Sequence, residues 1–512
     1  MASPASDIAA SVDRKVNLPT LTAMVVGSMV GSGVFLLPRR FGAETGVLGA
    51  VLAWSIAGTG MFMLALVFQR LAIRKPTLDA GIFAYAKAGF GDYVGFTSAF
   101  GFWASACAGN TSYWVLIMAT TSALFPALGD GTTVLAVVLS SIGLWLFFFL
   151  VSRGIQQAAI INRIATAAKI VPIALFIVLA LIMLDSGYFA DNFWGGNGIR
   201  VGSLWEQVKG TMLITVFALL GLEGASTYSR FAKRREDVGR ATIMGFLSVL
   251  GVFALVTLVS YGAMPQVDLA NIDQPSMASV LESLVGPWGS VVIRIGVVLS
   301  VLGAYLAWTM RAAEVLFVPA RDSDMPKFLS RTNSAGAPVN ALILATGAVQ
   351  VFLIVLLFVD DGLDLMLDLT ASLALLPYLL AAAYLLKLTI TRETYESDDW
   401  SAATSVHARE PDMIIAIVAV IYTLFLVRAA GLDRLMLSCI LYALGTIVYA
   451  MARREQKLPV FRRAEAALFG VFVIGAICGI VHLATGSEAL NEHSEHDRYP
   501  AYVANSHAYE PY

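Results

Sequence analysis

Charged residues are scarce in this chain. Aspartate, glutamate, lysine and arginine make up 14% of its 512 residues, whereas hydrophobic residues make up 58%. A soluble domain of average composition is about 25% charged. Long apolar runs recur along nearly the whole chain, and each is close to the ~20 residues that a helix needs to cross a bilayer. The composition therefore excludes an ordinary soluble protein and predicts an all-α polytopic membrane protein.

Cysteine and histidine are also rare, with three and five residues. Cys107, Cys439 and Cys478 each fall in an apolar run, and their spacing is typical neither of a zinc site nor of a disulfide framework. An enzyme would need clustered histidine, cysteine or carboxylate side chains, and the apolar runs contain almost none. We therefore expect no metal, no cofactor and no enzymatic activity.

The apolar runs predict thirteen membrane spans, and we expect no cleavable signal peptide before the first of them. The predicted spans are 18–38, 47–69, 93–120, 132–151, 165–184, 208–229, 241–263, 289–318, 339–359, 364–388, 412–428, 434–451 and 464–483. Most of the 34 basic residues fall in alternate loops if the N-terminus is cytoplasmic, which agrees with the positive-inside rule. An odd number of spans would leave the C-terminal tail outside.

The first span is interrupted by small residues. It contains the sequence Gly31-Ser32-Gly33 and ends at Pro38. Glycine costs about 1 kcal/mol relative to alanine inside a helix, so this sequence favours a break in the helix. Unpaired backbone groups at membrane depth are tolerated where they line a cavity or meet a ligand. Alternatively, the small residues allow close packing between two continuous helices.

The sixth span has a similar interruption at Gly221, Glu223 and Gly224. An ionisable side chain inside the membrane is rare and usually functional, although Glu223 could instead bond a neighbouring helix. Because the two interruptions lie five spans apart, the second one enters the membrane from the opposite side. This is the arrangement of an inverted repeat whose broken helices enclose a binding site at the middle of the bilayer.

The pair of breaks predicts the domain organisation and the type of ligand. We expect a cytoplasmic N-terminus at 1–17, a first repeat at 18–184, a second repeat at 208–388, accessory helices at 412–483 and a polar tail at 484–512. A half-helix that begins after Gly31 presents its positive end to an anionic group. Unwound carbonyls near Met29 and Leu220 would accept hydrogen bonds from an ammonium. The breaks therefore predict a pocket for the zwitterionic head of an amino acid.

Several motifs carry a family resemblance. They are Gly31-Ser32-Gly33-Val34-Phe35-Leu36-Leu37-Pro38, Gly221-Leu222-Glu223-Gly224-Ala225-Ser226, Leu306-Ala307-Trp308-Thr309, Met325-Pro326-Lys327-Phe328-Leu329 and Pro338-Val339-Asn340-Ala341-Leu342. With them the chain resembles the amino acid–polyamine–organocation superfamily, most closely the arginine/ornithine antiporters among its basic amino acid antiporters. The resemblance implies a LeuT-like 5+5 inverted repeat with broken helices 1 and 6, and about 13 helices.

The resemblance also implies roles for individual residues. Ser32 and the Gly33 amide would hold the substrate carboxylate, and the carbonyls of Met29 and Leu220 would receive the α-ammonium. The side chain of the substrate would then meet Asn110, Trp308 and, by a looser alignment, Ser372. Phe217, which would cap the bound substrate, and Tyr113, in the side-chain pocket, are also predicted to bind substrate. They stand where an arginine/agmatine relative has tryptophan and methionine, which argues against agmatine exchange and leaves ornithine or lysine open.

Lys169 and Glu223 are the candidates for coupling or gating. In several relatives a lysine of the fifth helix lies against the broken first helix and replaces a sodium ion; alternatively, Lys169 is a basic residue at the inner end of its span. Glu223 is the carboxylate available for proton coupling.

The expected function is a secondary transporter of the bacterial cytoplasmic membrane that exchanges arginine for ornithine. A lysine or other basic amino acid permease, coupled to protons, is the alternative within transport. A channel or membrane receptor is the alternative from another class, but no ring of pore residues is present to support a channel. The expected partners are these small substrates and the lipid bilayer, with no nucleic acid; a homodimer is compatible with all of this.

Overall fold

A computed structural model describes residues 17–76, 78, 82–153, 159–196, 201–222, 235–398 and 405–493. Over these ranges the chain is helical, and its extended pairing is limited to an isolated bridge between Ser397 and Ser405. The predicted all-α class is therefore confirmed.

The first half of the chain begins with a broken helix. The helices are α1 Leu18–Met29, α2 Leu37–Glu44, α3 Val47–Arg74, α4 Ile82–Phe90, α5 Asp92–Thr121, α6 Val134–Ser152, α7 Ala159–Ile182, α8 Ser186–Asp191 and α9 Leu204–Leu219. Short 3₁₀ segments lie at Gly33–Leu36, between α1 and α2, and at Pro126–Leu128.

The second half ends with two long helices. Its helices are α10 Arg235–Ser260, α11 Gln266–Asn271, α12 Ser276–Val285, α13 Pro287–Arg321, α14 Val339–Val355, α15 Gly362–Thr391, α16 Arg409–Glu455 and α17 Arg463–His493. Short 3₁₀ segments lie at Lys327–Ser330, Leu356–Phe358 and Val406–Ala408.

Every predicted span contains a helix, but not every helix has the composition of a membrane span by itself. Among the described residues, eight helices are long and apolar enough to cross a membrane, and the bent pair α1 and α2 makes nine. Thirteen spans require α5, α7 and α9 in addition, and two crossings by α16. The number thirteen therefore stays a prediction.

The helix α5 explains part of the difference between the nine apolar spans and the thirteen predicted ones. Every side chain from Gly95 to Thr120 is buried, so α5 is enclosed by protein on all sides. The helix packs along α13 and α15. Since lipid does not surround it, α5 can carry the small and polar residues that lower its hydropathy without exposing them to hydrocarbon.

Ion pairs define the two ends of the helix bundle. We call the end that carries Arg74, Asp92 and Asp412 the inner end, after its predicted side. The opposite end, which carries Arg40, Asp368 and Arg434, is the outer end. Arg40 lies 2.5 Å from Asp368, and Arg434 lies 3.3 Å from the other oxygen of the same carboxylate.

The helix α16 crosses between these ends twice. It has 47 residues, which would span about 70 Å if straight, roughly twice the ~30 Å of a hydrocarbon core. Its backbone leaves the helical conformation at Gly431, with φ 79° and ψ 162°. Asp412, near its start, and Arg453, near its end, both form ion pairs at the inner end, whereas Arg434 does so at the outer end. The chain therefore reverses at Gly431, between the two spans that the sequence predicts.

The helix α17 returns to the outer end. Its first turn lies at the inner end, where the Glu465 carboxylate accepts a hydrogen bond from the backbone N–H of Tyr93. Its residue His482 lies 3.4 Å from Asp433, beside the reversal of α16 at the outer end. The first helix, α1, begins at the inner end, so α17 finishes on the opposite side of the bundle from the start of α1.

The short helices at the outer end were not predicted from the sequence. The helices α8, α11 and α12 lie in segments too polar or too short to predict as spans. Nearby, buried polar groups hold the end of α2: the Tyr261 hydroxyl donates to the Thr45 carbonyl at 2.6 Å, and Gln266 Nε2 donates to the Gly42 carbonyl at 2.9 Å. These hydrogen bonds fix the outer half of the first span to α10 and α11.

Candidate functional site

The first helix break lies where the sequence predicts it. The helix α1 ends at Met29, and Val30 is extended, with φ −73° and ψ 95°. Helical structure resumes at Gly33, and the direction of the helix has changed by 47°. The negative end of α1 and the positive end of the next helical segment therefore both face the gap at Gly31 and Ser32.

The second helix break lies directly against the first. The helix α9 ends at Leu219, Leu220 is extended, and Gly221 has a positive φ of 102°. A Cβ atom on Gly221 would lie 2.6 Å from the Ser28 carbonyl oxygen, so only glycine fits between the two segments. Glu223 and Gly224, predicted as a coupling residue and part of the break, lie outside the described residues.

A small cavity of about 20 Å³ lies where the two breaks meet. Seven of the nine residues predicted to bind substrate line it: Met29, Ser32, Gly33, Tyr113, Phe217, Leu220 and Trp308. The volume is sufficient for about one water molecule. An amino acid therefore requires its walls to move apart.

The residues of the breaks leave polar groups beside this cavity. The Ser32 hydroxyl is buried and makes no hydrogen bond of good geometry among the described residues, although the Tyr113 hydroxyl interacts with it. The Tyr113 hydroxyl also lies close to Gly31, since a Cβ there would be 3.3 Å from it. A buried hydroxyl that is poorly satisfied is destabilising, so Ser32 is suited to bond a ligand.

Aromatic side chains also line the cavity. Phe217 is buried, and its ring lies close to Gly33, where a Cβ would come within 3.3 Å of Phe217 Cδ1. Trp308 packs against Phe102 at a centroid distance of 6.2 Å. The faces of indole and phenyl rings attract cations, and more strongly where water is excluded. The cavity thus combines the polar backbone of the breaks with aromatic faces.

Asn110 does not line the cavity. It is buried on α5, and its Nδ2 donates a weak hydrogen bond to Thr309 Oγ1 at 3.4 Å. Its Oδ1 has no hydrogen-bond partner among the described residues. The structure therefore places Asn110 beside Thr309, the residue that follows Trp308.

Ser372 faces away from the cavity. Its hydroxyl lies 3.1 Å from that of Ser438 on α16 and donates to the Leu369 carbonyl. Thr370, two residues earlier on α15, lines the cavity instead, and its carbonyl accepts a 2.7 Å hydrogen bond from Ser105.

Sequence reasoning missed the face of α5 that completes the cavity. Ser105 and Gly109 line it together with Tyr113. These three residues are spaced four apart, so they lie on one face of the helix. Extending that spacing back from Tyr113 would have identified both.

Lys169 lies against the broken first helix. Its Nζ donates to the Gly27 carbonyl at 3.2 Å, and only 8% of the residue is exposed. A positive charge at the C-terminal end of a helix interacts favourably with the helix dipole. A second, apolar cavity of about 420 Å³ lies beside it, between α1, α7 and α10. Among the described residues, no group of three or more histidine, cysteine or carboxylate side chains could hold a metal.

Comparison with known proteins identifies the family. The model of the amino acid permease family matches residues 16–433, most of the chain and all of the cavity. The chain belongs to this family. The family resemblance predicted from the sequence motifs is thus confirmed.

Relatives of this amino acid permease are similar over nearly their full length. An arginine/ornithine antiporter of Pseudomonas aeruginosa is 46% identical over 92% of this chain and 98% of its own. An L-lysine transport protein of Corynebacterium glutamicum is 38% identical over 95% and 99%. An arginine/agmatine antiporter of Chlamydia pneumoniae is 36% identical over 91% and 96%.

Proposed function

We propose that this protein exchanges arginine for ornithine across the bacterial cytoplasmic membrane by alternating access. The observation that carries the proposal is the meeting of the two helix breaks, at Gly31 and Gly221, in one cavity with aromatic walls. The similarity to the arginine/ornithine antiporter supports this choice of substrates. Transport leaves the substrate chemically unchanged, so the protein acts as a carrier and not as an enzyme.

In this proposal the breaks bind the part common to all amino acids. Ser32 and the amide of Gly33 hold the carboxylate, and the carbonyls of Met29 and Leu220 accept hydrogen bonds from the ammonium. The support for these roles is the buried, poorly satisfied hydroxyl of Ser32 and the extended backbone that follows each helix end. Any α-amino acid presents these groups, so specificity has to come from elsewhere.

The aromatic wall then selects the side chain. Trp308 stacks on the guanidinium or ammonium of the substrate. Phe217 covers the bound substrate, and Tyr113 lies beside the substrate side chain. Ser105 and Thr370, which line the cavity, take the polar role predicted for Ser372. Asn110 affects the substrate side chain indirectly, through Thr309, to which it is hydrogen-bonded.

The same proposal gives roles to the two candidate coupling residues, Lys169 and Glu223. The Lys169 ammonium occupies the place of a sodium ion beside α1, supported by its hydrogen bond to Gly27. Transport would then proceed without sodium. The second candidate function is a lysine permease coupled to protons through Glu223, which is favoured by the similarity to the L-lysine transport protein.

Counterflow in proteoliposomes tests the proposed exchange. Vesicles loaded with unlabelled ornithine, in sodium-free buffer, are expected to accumulate labelled arginine transiently above equilibrium. Vesicles without internal amino acid serve as the control and should accumulate little. Equal uptake in loaded and empty vesicles would contradict exchange, and uptake driven by a pH gradient alone would favour the proton-coupled permease.

Substitution of Trp308 tests the aromatic part of the site. Trp308→Ala should raise the Kd for arginine by about tenfold, because a desolvated cation–π contact is lost. Trp308→Phe should retain part of the affinity, and Trp288→Ala, a change at an exposed position of the same helix, should leave the Kd unchanged. The measurement is arginine binding to purified protein by calorimetry. An unchanged Kd in Trp308→Ala would remove Trp308 from the site.

A further inference from the structure

The hydroxyl of Tyr113 reaches the first helix break. A Cβ atom on Gly31 would lie 3.3 Å from this oxygen, and the hydroxyl interacts with that of Ser32. Tyr113 is buried on α5 and lines the cavity together with Gly31 and Ser32. The family resemblance places Tyr113 only in the pocket for the substrate side chain. The structure therefore adds a contact between α5 and the part of the site that would hold the head of an amino acid.

The chemistry at this point favours an anion. The hydroxyls of tyrosine and serine can both donate hydrogen bonds, and the helical segment that resumes at Gly33 directs its positive end to the same gap. A hydrogen bond from a hydroxyl to an ionised carboxylate is roughly twice as strong as one between neutral groups. The acceptors proposed for the ammonium, the carbonyls of Met29 and Leu220, belong to the ends of other helical segments. Of the two charged groups of an amino acid head, the carboxylate is therefore the one that suits Tyr113.

We propose that the Tyr113 hydroxyl binds the substrate carboxylate together with Ser32, and that the site therefore selects ligands with a free carboxylate. This inference rests on the proposed function, since it assumes that an amino acid head binds at the two breaks. Without substrate the two hydroxyls interact with each other, and on binding each donates to the carboxylate. A decarboxylated amine such as agmatine would leave both buried hydroxyls poorly satisfied, because the cavity has room for only about one water molecule. A site built to bond a polar group rejects an analogue that lacks it.

Replacement of Tyr113 by phenylalanine removes the hydroxyl and keeps the ring. Tyr113→Phe should raise the Kd for arginine and the Kd for ornithine by about tenfold each, because a hydrogen bond to a charged group is lost. Agmatine keeps the ammonium and guanidinium groups of arginine but has no carboxylate, so its Kd should be nearly unchanged. The measured quantity is the ratio of the Kd for agmatine to the Kd for arginine, obtained by competition with labelled arginine on purified protein. This ratio should fall about tenfold.

A second buried tyrosine offers a matched control. Tyr422, on α16, is 5% exposed, compared with 6% for Tyr113, and it is not among the residues that line the cavity. Tyr422→Phe should leave all three Kd values unchanged. Ser32→Ala removes the other hydroxyl and should also lower the ratio. In the Ser32→Ala background Tyr113→Phe should lower the ratio further, because each hydroxyl binds the carboxylate directly.

The outcomes separate this inference from the proposed function. A tenfold fall of the ratio in Tyr113→Phe, absent in Tyr422→Phe, supports the role of Tyr113. An unchanged ratio, including one in which all three Kd values rise equally, overturns the inference and leaves the proposed function standing. The same holds if Tyr113→Phe has no further effect in the Ser32→Ala background, since Tyr113 would then only position Ser32. If wild-type protein binds no basic amino acid, both the inference and the proposed function are overturned.

Discussion

Gly221 is the residue on which the contact between the two helix breaks depends. Its φ of 102° and the nearby Ser28 carbonyl leave no room for a side chain. Gly221→Ala should therefore push the two breaks apart, lower the thermal unfolding temperature and abolish arginine binding. Binding and unfolding of the detergent-solubilised protein are the measurements.

A second glycine provides the control for this change. Gly251, within α10, has open space around the position of a Cβ. Gly251→Ala should keep binding and leave stability equal or higher, because alanine favours a helix. If both variants behaved alike, the close contact at Gly221 would not determine the site.

At the scale of single residues, the sequence predicts which helix carries a site residue more reliably than which face of the helix its side chain occupies. Met29, Ser32 and Phe217, which the breaks and the family resemblance predict to bind substrate, line the cavity. Ser372 lies on the right helix but on another face, since two residues along a helix turn the side chain by about 200°. A loose alignment does not distinguish Ser372 from Thr370, two residues earlier, but only Thr370 lines the cavity.

At the scale of elements, a buried carboxylate joins the accessory helices to the rest of the bundle. Asp412 is fully buried near the start of α16. Its carboxylate lies 2.7 Å from Arg74 Nη2 and 3.0 Å from Arg70 Nε, both on α3, and it accepts a 3.0 Å hydrogen bond from the Tyr395 hydroxyl. These contacts bind α16 to the inner end of α3.

Removal of this charge should destabilise the protein. Asp412→Asn leaves two arginines without their shared counter-ion, and breaking a buried ion pair costs about 3–5 kcal/mol. We expect a marked fall in the thermal unfolding temperature, while Glu410→Gln, at an exposed position two residues earlier, should have no effect. Equal unfolding temperatures for the two variants would show that Asp412 does not hold α16 in place.

The elements themselves were largely predictable because membrane spans are long and apolar. The sequence predicts two spans within α16, because Arg428, Asp433 and Arg434 interrupt the apolar run near Gly431, where the backbone leaves the helical conformation. The helix α12, at the outer end, was not predicted, because its ten residues mix apolar with polar side chains and resemble a loop. Its position depends on contacts with α2 and α13 that no local pattern reveals.

At the scale of the whole molecule, the ion pairs show which parts of the chain meet at each end of the bundle. Arg40, near the end of the first span, meets Asp368 and Arg434 at the outer end, while Asp92, Asp412 and Arg453 lie at the inner end. At each end, charged residues from distant parts of the sequence thus lie close together. The sequence alone could predict which loops share a side, but not which of their charges meet.

The direction of the last helix predicts the side of the C-terminal tail. Since α1 begins at the inner end and α17 reaches the outer end near Asp433, the two termini should lie on opposite sides of the membrane. The basic inner loops predict a cytoplasmic N-terminus, so the tail should be outside. In a variant without native cysteines, a membrane-impermeant maleimide should label Ser506→Cys in intact cells and label Ser3→Cys only after lysis. Labelling of both positions, or of neither, in intact cells would place the termini on one side and require an even number of spans.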